Sequence, residues 1–304
     1  MRALVTGGTG LVGFNLTSHL YNEGNELVIT GHDAETKLSN FKGIYLQPSF
    51  IGLDWDRIGK VDVVFHQAAI NDTTLLDKKE MFRANVDSSV ELFKYSIENG
   101  CKKIVYASST AVYGNEKAPY VEGITKLNPL NPYAESKVEL EKEALKFSKE
   151  YPDIVFIGLR YCNIYGPGEQ HKGKRATMIY QLAQQMLHGD PKIFFDGEQK
   201  RDYIYVKDVV KANIFAAKSK ESCIVNCGTG KATSFNEIIK ILNSILNLNR
   251  KPIYIKNPFP ERYQSYTECD MKLAKEIINF TPDFDIFNGI KDYYESGYLV
   301  SNFR

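Results

Sequence analysis

Within the first thirteen residues a short apolar run, Arg2-Ala-Leu-Val5, gives way to Thr6-Gly7-Gly8-Thr9-Gly10-Leu11-Val12-Gly13, and an apolar-periodic segment then continues to about Leu20. A buried strand that turns through glycines straight into a helix narrows the possible folds more than anything else in the chain. Gly8-x-Gly10-x-x-Gly13 supplies the tight bend, lets backbone N–H groups approach a pyrophosphate, and permits close contact between helix and strand. Gly7, Gly10 and Gly13 also satisfy the wider Gly-x-x-Gly-x-x-Gly spacing. Turns collect glycine for steric reasons alone. The weight of this triplet therefore comes from its place at the first strand-to-helix junction.

Val/Ile/Leu-rich runs at 27–30, 61–66, 103–107 and 154–159 alternate with helical patterns such as 87–99 and 135–149. That alternation predicts an α/β fold with a doubly wound parallel sheet, whose helices are long enough to act as crossovers. The second half changes character, with a loop-rich basic stretch around one helix at 177–188, further helices at 235–246 and 271–278, and a strand at 224–228. Residues 1–166 and 202–229 are expected to form the dinucleotide-binding domain. Residues 167–201 and 230–304 are expected to form a smaller, discontinuous α/β domain that binds substrate over the C-terminal edges of the strands.

Lys and Arg total 38 against 37 Asp and Glu, so no net field favours nucleic acid or an anionic membrane. No apolar run approaches the roughly 18 residues that span a bilayer, and the N-terminus meets glycine too soon to build a signal-peptide core. A cytoplasmic protein with neither nucleic-acid nor membrane partners is expected. The five cysteines, Cys101, Cys162, Cys223, Cys227 and Cys269, lack metal-ligand spacing and read as reduced, mostly buried thiols, with no metal site.

Tyr133-Ala-Glu-Ser-Lys137 carries the chemistry. Asn131-Pro132 suits an N-cap followed by a first-turn proline, so Tyr133 and Lys137 share a helix face one turn apart. A cation held there favours phenolate and would draw the tyrosine from its ordinary pKa of about 10 toward neutrality, fitting it to act as acid or base on a carbinol oxygen. An amphipathic helix with a buried Tyr and a solvated Lys has the same spacing.

Seven motifs in order resemble the extended short-chain dehydrogenase/reductase family, specifically its nucleotide-sugar epimerases and dehydratases. They are Thr6 to Gly13, His66-Gln-Ala-Ala69, Asn85, Tyr106-Ala-Ser-Ser-Thr-Ala-Val-Tyr-Gly114, Asn131 to Lys137, Arg160-Tyr-Cys-Asn-Ile-Tyr-Gly-Pro167 and Arg201-Asp-Tyr-Ile-Tyr-Val-Lys-Asp208. The resemblance implies a Rossmann-type core and a catalytic set of Ser109, Tyr133 and Lys137. It implies that Gly7, Gly10, Leu11, Val12, Gly13, Ala68, Ala69, Asn85, Tyr133 and Lys137 hold NADP or NAD. Within the family the second half is most similar to 6-epimerases of nucleotide-linked heptoses. That likeness rests on Gly168 to Met178, Phe194 to Glu198, Asn226 to Phe235 and Arg262 to Glu268. It implies Ser109, Asn163, Lys172, Phe195, Arg201 and Tyr263 as contacts to a nucleotide-diphosphate sugar, and Lys172 as a second acid/base. Lys172, Lys174 and Arg175 would equally serve only to neutralise a diphosphate. Arg201 would clamp that diphosphate with its guanidinium fork, or else pair with Asp202 or Asp208.

The implied reaction is transient oxidation at C6, after which the flat ketone is reduced from its other face. Ser109 would stabilise charge on the reacting oxygen by about 3 kcal/mol, with Ser108 as a structural hydroxyl. Thr110-Ala111 stands where the family's dehydratases carry an acidic pair, which argues against water elimination. A 4-epimerase or 4-dehydrogenase, and a regulatory protein that senses NAD(P) without chemistry, are the alternatives. Val28-Ile-Thr-Gly-His-Asp33 lacks an acidic strand end for the ribose, leaving NADP through Lys37 or His32 and NAD through Asp33 both open. Pro48-Ser49 replaces the usual Gly-Asp of the adenine-side loop. A homodimer through the helices at 87–99 and 135–149 is expected from relatives.

Overall fold

The computed structural model describes residues 1–32, 38–41, 45–47, 49–72, 75–257 and 264–300. Its strands, in chain order, are β1 Arg2–Thr6, β2 Glu26–Thr30, β3 Tyr45–Gln47, β4 Val63–His66, β5 Lys103–Ser109, β6 Val155–Tyr161, β7 Asn163–Tyr165, β8 Lys192–Phe194, β9 Lys200–Tyr205, β10 Cys223–Cys227, β11 Ala232–Ser234 and β12 Ile253–Ile255. The principal helices are α1 Leu11–Asn22, α2 Ser88–Glu98, α3 Pro132–Glu150, α4 Met178–His188, α5 Val206–Ala216, α6 Phe235–Leu246, α7 Lys272–Ile278 and α8 Ile286–Glu295. A turn of helix at Lys78–Phe82 and a wider π-type turn at Arg83–Asp87 lead directly into α2.

Seven strands form one sheet in the order β10-β6-β5-β4-β1-β2-β3, and every pairing in it is parallel. Successive strand residues face opposite sides, so both faces must be covered. Val5, Ile29, Phe65, Val105 and Ile157 pack on one face with Leu16 and Leu20 of α1 and Ala212 of α5. Leu4, Val28, Val64, Ile104 and Phe156 pack on the other with Phe93 of α2 and Leu140, Ala144 and Phe147 of α3. Strand order reverses between β1 and β4, which opens a crevice at their C-terminal ends. Thr6 and His66 are register partners there.

A second sheet pairs β9 in parallel with β7 and antiparallel with β11, while β8 and β12 form a separate parallel pair. Ile179, Leu182 and Met186 of α4 and Ile238, Ile239 and Leu242 of α6 bury their apolar faces beside it. Leu11 and Val206 join this second core, so it is continuous with the start of α1 and of α5. β7, β9 and β11 come from both sides of the divisions expected near 166, 201 and 229. Buried carboxylates stitch these layers together. Asp202 accepts the N–H groups of Thr229, Gly230 and Cys269, and Asp208 accepts those of Asp283 and Phe284.

Candidate active site

The glycine turn is shaped by contacts that forbid side chains. A Cβ on Gly13 would lie 2.1 Å from the Gly7 carbonyl oxygen, and one on Gly7, whose φ is +66°, would lie 2.8 Å from the Ala68 nitrogen. Gly10 caps α1 with no side-chain acceptor, so the N–H groups of the first turn, at Leu11, Val12 and Gly13, meet no capping side chain. This cradle fits a dinucleotide pyrophosphate, which needs close backbone approach and donors at a helix start.

The turn is locked to β4 through one buried relay. The Thr6 hydroxyl is 2.7 Å from Nδ1 of His66, and it accepts the N–H groups of Gln67 and Ala68. Nε2 of His66 is 2.7 Å from the Ser89 hydroxyl, which donates to the Asn85 carbonyl. These roles are mutually consistent only if Nε2 carries the proton and Nδ1 accepts. Burial, with help from the Lys137 charge, pushes His66 down to about 3 and keeps it neutral. Asn85 lies in the π-type turn, and its amide exchanges hydrogen bonds with both backbone groups of Ile70 and donates to Ser136. Ser136 in turn donates to the Tyr133 carbonyl. A continuous chain of polar contacts therefore runs from the glycine turn to the helix that bears Tyr133 and Lys137.

Asn131 caps α3 by accepting the Ala134 N–H at 2.9 Å, and Pro132 occupies the first turn. Tyr133 is half-buried, Lys137 is only 2% exposed, and the ammonium sits 5.8 Å from the centre of the tyrosine ring. Lys137 donates to the Ala107 carbonyl at 2.8 Å, which brings the end of β5 against α3. Ser109 caps the turn that follows β5 by accepting the Ala111 N–H, and it also hydrogen-bonds Tyr133. The structure thus brings Ser109, Tyr133 and Lys137 together at one strand end.

It departs from the sequence expectation in the acidity of Tyr133. Burial raises the phenol above its ordinary value, and only the hydrogen bond from Ser109 opposes the rise. Lys137 is itself pushed down to about 8 by burial, with Glu141 acting in the opposite direction. The i,i+4 spacing shows that the two groups meet. It does not show how far both are taken out of water, and desolvation is the larger effect.

Two charged residues were given no role in the sequence, Glu141 and the motif residue Arg160. Glu141, 3% exposed, accepts from Nε and Nη2 of Arg160 at 2.8 and 2.7 Å and from the Ser108 hydroxyl at 2.6 Å. Nη1 of Arg160 donates to the Tyr113 hydroxyl, which donates to Asn226. Glu141 lies one turn beyond Lys137, so the repeat 133, 137, 141 was the signal available.

The expected substrate residues lie on the second layer. Asn163 is exposed at the start of β7, opposite Tyr203 of β9. Arg201 extends from β9 with its guanidinium 5.9 Å from the Phe235 ring, and it donates to the Lys200 carbonyl. Phe195 follows β8 at φ +55°, its N–H donating to Ile255, with its ring 46% exposed. Lys172 sits on the turn Gln170–Arg175, and burial lowers its pKa while the neighbouring Glu169 raises it. Glu169 is held by the Gly166 and Thr177 N–H groups. Ala68 and Ala69 line the loop beside Gly7 and are half-buried. Tyr263, together with Asp33, Lys37 and Pro48, lies outside the described residues.

A family model for the NAD dependent epimerase/dehydratase family matches residues 3–228. The chain is 33% identical over 317 residues to an ADP-L-glycero-D-manno-heptose-6-epimerase of Brachyspira hyodysenteriae, covering 98% of this chain and 99% of that one. Among solved structures it is similar to the ADP-L-glycero-D-manno-heptose-6-epimerase of Helicobacter pylori, with a TM-score of 0.87, 34% identity and coverage of 97% and 95%. It is also similar to a UDP-N-acetylglucosamine 4-epimerase of Methanobrevibacter ruminantium, with a TM-score of 0.88, 27% identity and coverage of 97% of each chain.

Proposed function

The chain belongs to the NAD dependent epimerase/dehydratase family, and on that premise we propose that it epimerises a nucleotide-diphosphate sugar, with ADP-glycero-manno-heptose inverted at C6 as its first substrate. The observation that carries the chemistry is the meeting of Ser109, Tyr133 and buried Lys137 at the end of β5. The relatives at 33% and 34% identity support the heptose over the hexose of the 27% relative, since the TM-scores do not separate them.

Gly7, Gly10 and Gly13, the first turn of α1, Ala68, Ala69 and Lys137 would hold NADP or NAD, while Asn85 braces the loop at Ile70 that lies beside them. When bound, that cofactor supplies reversible two-electron oxidation of the carbinol carbon. Tyr133 takes the proton of the sugar hydroxyl and later returns it. Ser109 donates to the same oxygen and steadies its charge, while Lys137 keeps positive charge beneath the phenol. Lys172, whose ammonium is made easier to deprotonate by burial, serves as a second acid/base on the far side of the carbon. Arg201 clamps the diphosphate, and Phe195, Asn163 and Tyr263 contact the nucleotide sugar.

All five cysteines are free, which suits a reducing, cytoplasmic compartment. Tyr95 on α2 and Leu145 on α3, 49% and 43% exposed, support a homodimer through those helices.

Turnover of the two C6 epimers of ADP-heptose, run beside UDP-hexoses with NAD and NADP in turn, tests the reading. Interconversion at C6 is expected, with kcat reduced by about 10²–10⁴ in Tyr133→Phe while cofactor still binds. Interconversion at C4 and none at C6 would reassign the sugar. Cofactor binding without turnover of any nucleotide sugar would leave a sensor rather than an enzyme.

A further inference from the structure

We propose that Glu141 is a positioning residue for this reaction: its carboxylate, buried one turn beyond Lys137, keeps that lysine charged and holds the strand end that carries Ser109. The proposal rests on the catalytic roles given above to Lys137 and Ser109. Its test reads Lys137 directly, so that it can fail separately from them.

Lys137 is sealed at 2% exposure, and its acceptor among the described residues is neutral, the Ala107 carbonyl at 2.8 Å. A lysine so placed tends to lose its proton, because burial penalises only the charged form. The groups facing it decide the outcome. From α3 come Glu141 and the Tyr133 ring, from β5 the Ala107 carbonyl, and from β4 His66, which is neutral between Thr6 and Ser89. Glu141 is the negative charge in this set. Its oxygens accept three hydrogen bonds, two from Arg160 and one from Ser108. Arg160 also donates to the Tyr113 hydroxyl, and Glu141 is the charged group that acts on Lys137. Through Ser108 the same carboxylate fastens the residue next to Ser109 to α3. One carboxylate thereby fixes the charge below Tyr133 and the strand beside it.

A purely structural pair between Glu141 and Arg160 predicts something different. Replacing a buried ion pair by neutral groups is often neutral for stability, whereas removing one member leaves a buried charge unpaired. The informative variant is therefore the double replacement Glu141→Gln/Arg160→Met in the full chain. In 15N-lysine-labelled protein, the Lys137 signal is assigned by its absence in Lys137→Met, and its titration is followed without cofactor. The double variant is expected to lower the Lys137 midpoint by about one pH unit or more, the low end of what a neighbouring opposite charge does. The alkaline limb of the kcat profile should move by the same amount, giving about a fivefold loss at pH 8 as the charged fraction falls from about a half to about a tenth. Glu141→Asp, which keeps the carboxylate, should restore most of both. A folded double variant whose Lys137 titrates as in the wild type overturns the proposal, whatever its activity. A shifted midpoint with unchanged activity would uphold the electrostatic link and instead refute the role given to Lys137. If the methionine packs poorly, Glu141→Gln/Arg160→Gln repeats the measurement with polar isosteres.

Discussion

Replacing Lys137 by Met should make the cofactor-free protein more stable at neutral pH while ending turnover. The ammonium is buried to 2% exposure, and burial takes its pKa from the ordinary lysine value of 10.5 to about 8. That difference corresponds to roughly 3 kcal/mol against the charged form in the folded state. Met has a similar length and no charge, so it releases this penalty. It also withdraws the hydrogen bond to the Ala107 carbonyl, and a buried acceptor left without its donor costs about 1–2 kcal/mol. The balance at pH 7 is a gain of about 1–2 kcal/mol for the variant. Its pH dependence follows from linkage. The folded lysine holds its proton more weakly than the unfolded one, so between about 8 and 10.5 the unfolded chain binds more protons and wild-type stability rises with pH. By pH 9.5 the wild-type penalty has shrunk to roughly 1 kcal/mol, and the advantage of the variant should be gone. Urea unfolding of both proteins at pH 7 and 9.5, followed by far-UV circular dichroism, measures the difference. A variant that is less stable by the same amount at both pH values would show that Lys137 is not a buried cation held against its preference.

Gly13→Ala places a Cβ 2.1 Å from the Gly7 carbonyl oxygen and 2.8 Å from the Gly8 Cα, contacts that only backbone movement can relieve. The turn should open, with a loss of about 1–3 kcal/mol in stability and a sharp fall in NAD(P)H affinity by fluorescence titration; unaltered affinity would remove the cradle from cofactor binding. His66→Gln should weaken the response to acid. His66 is held neutral down to about 3, so below its ordinary 6.5 the unfolded chain takes up the proton first and wild-type stability falls as pH falls. Between pH 7 and pH 5 the wild type should lose about 2 kcal/mol more than the variant in urea unfolding, and parallel losses would refute the assignment of a neutral imidazole.

What the sequence discloses depends on how far apart in the chain the determining contacts lie. The strand cores at 27–30 and 103–107 and the helix Phe235–Leu246 are written in local periodicity, and the structure places them there to within a few residues. The helix bearing Tyr133 is equally local, its start fixed by Asn131 and Pro132. The second sheet is not local. β7 and β11 are three residues each, and both become strands only because β9, from another part of the chain, lies between them.

Charges on α3 show the same divide within one helix. Glu139 with Lys142 and Glu143 with Lys146 pair along its outer surface, as a solvated face would. Glu141 belongs to the same run of charges yet points inward, and its partner Arg160 arrives on β6. Nothing in the local pattern separates it from its neighbours except the four-residue step from Lys137. The depressed lysine pKa and the raised tyrosine pKa are products of that same inward packing. Spacing in the sequence can therefore say which groups will meet, while the dielectric in which they meet, and hence their proton affinity, is set by strands that enter from elsewhere in the chain.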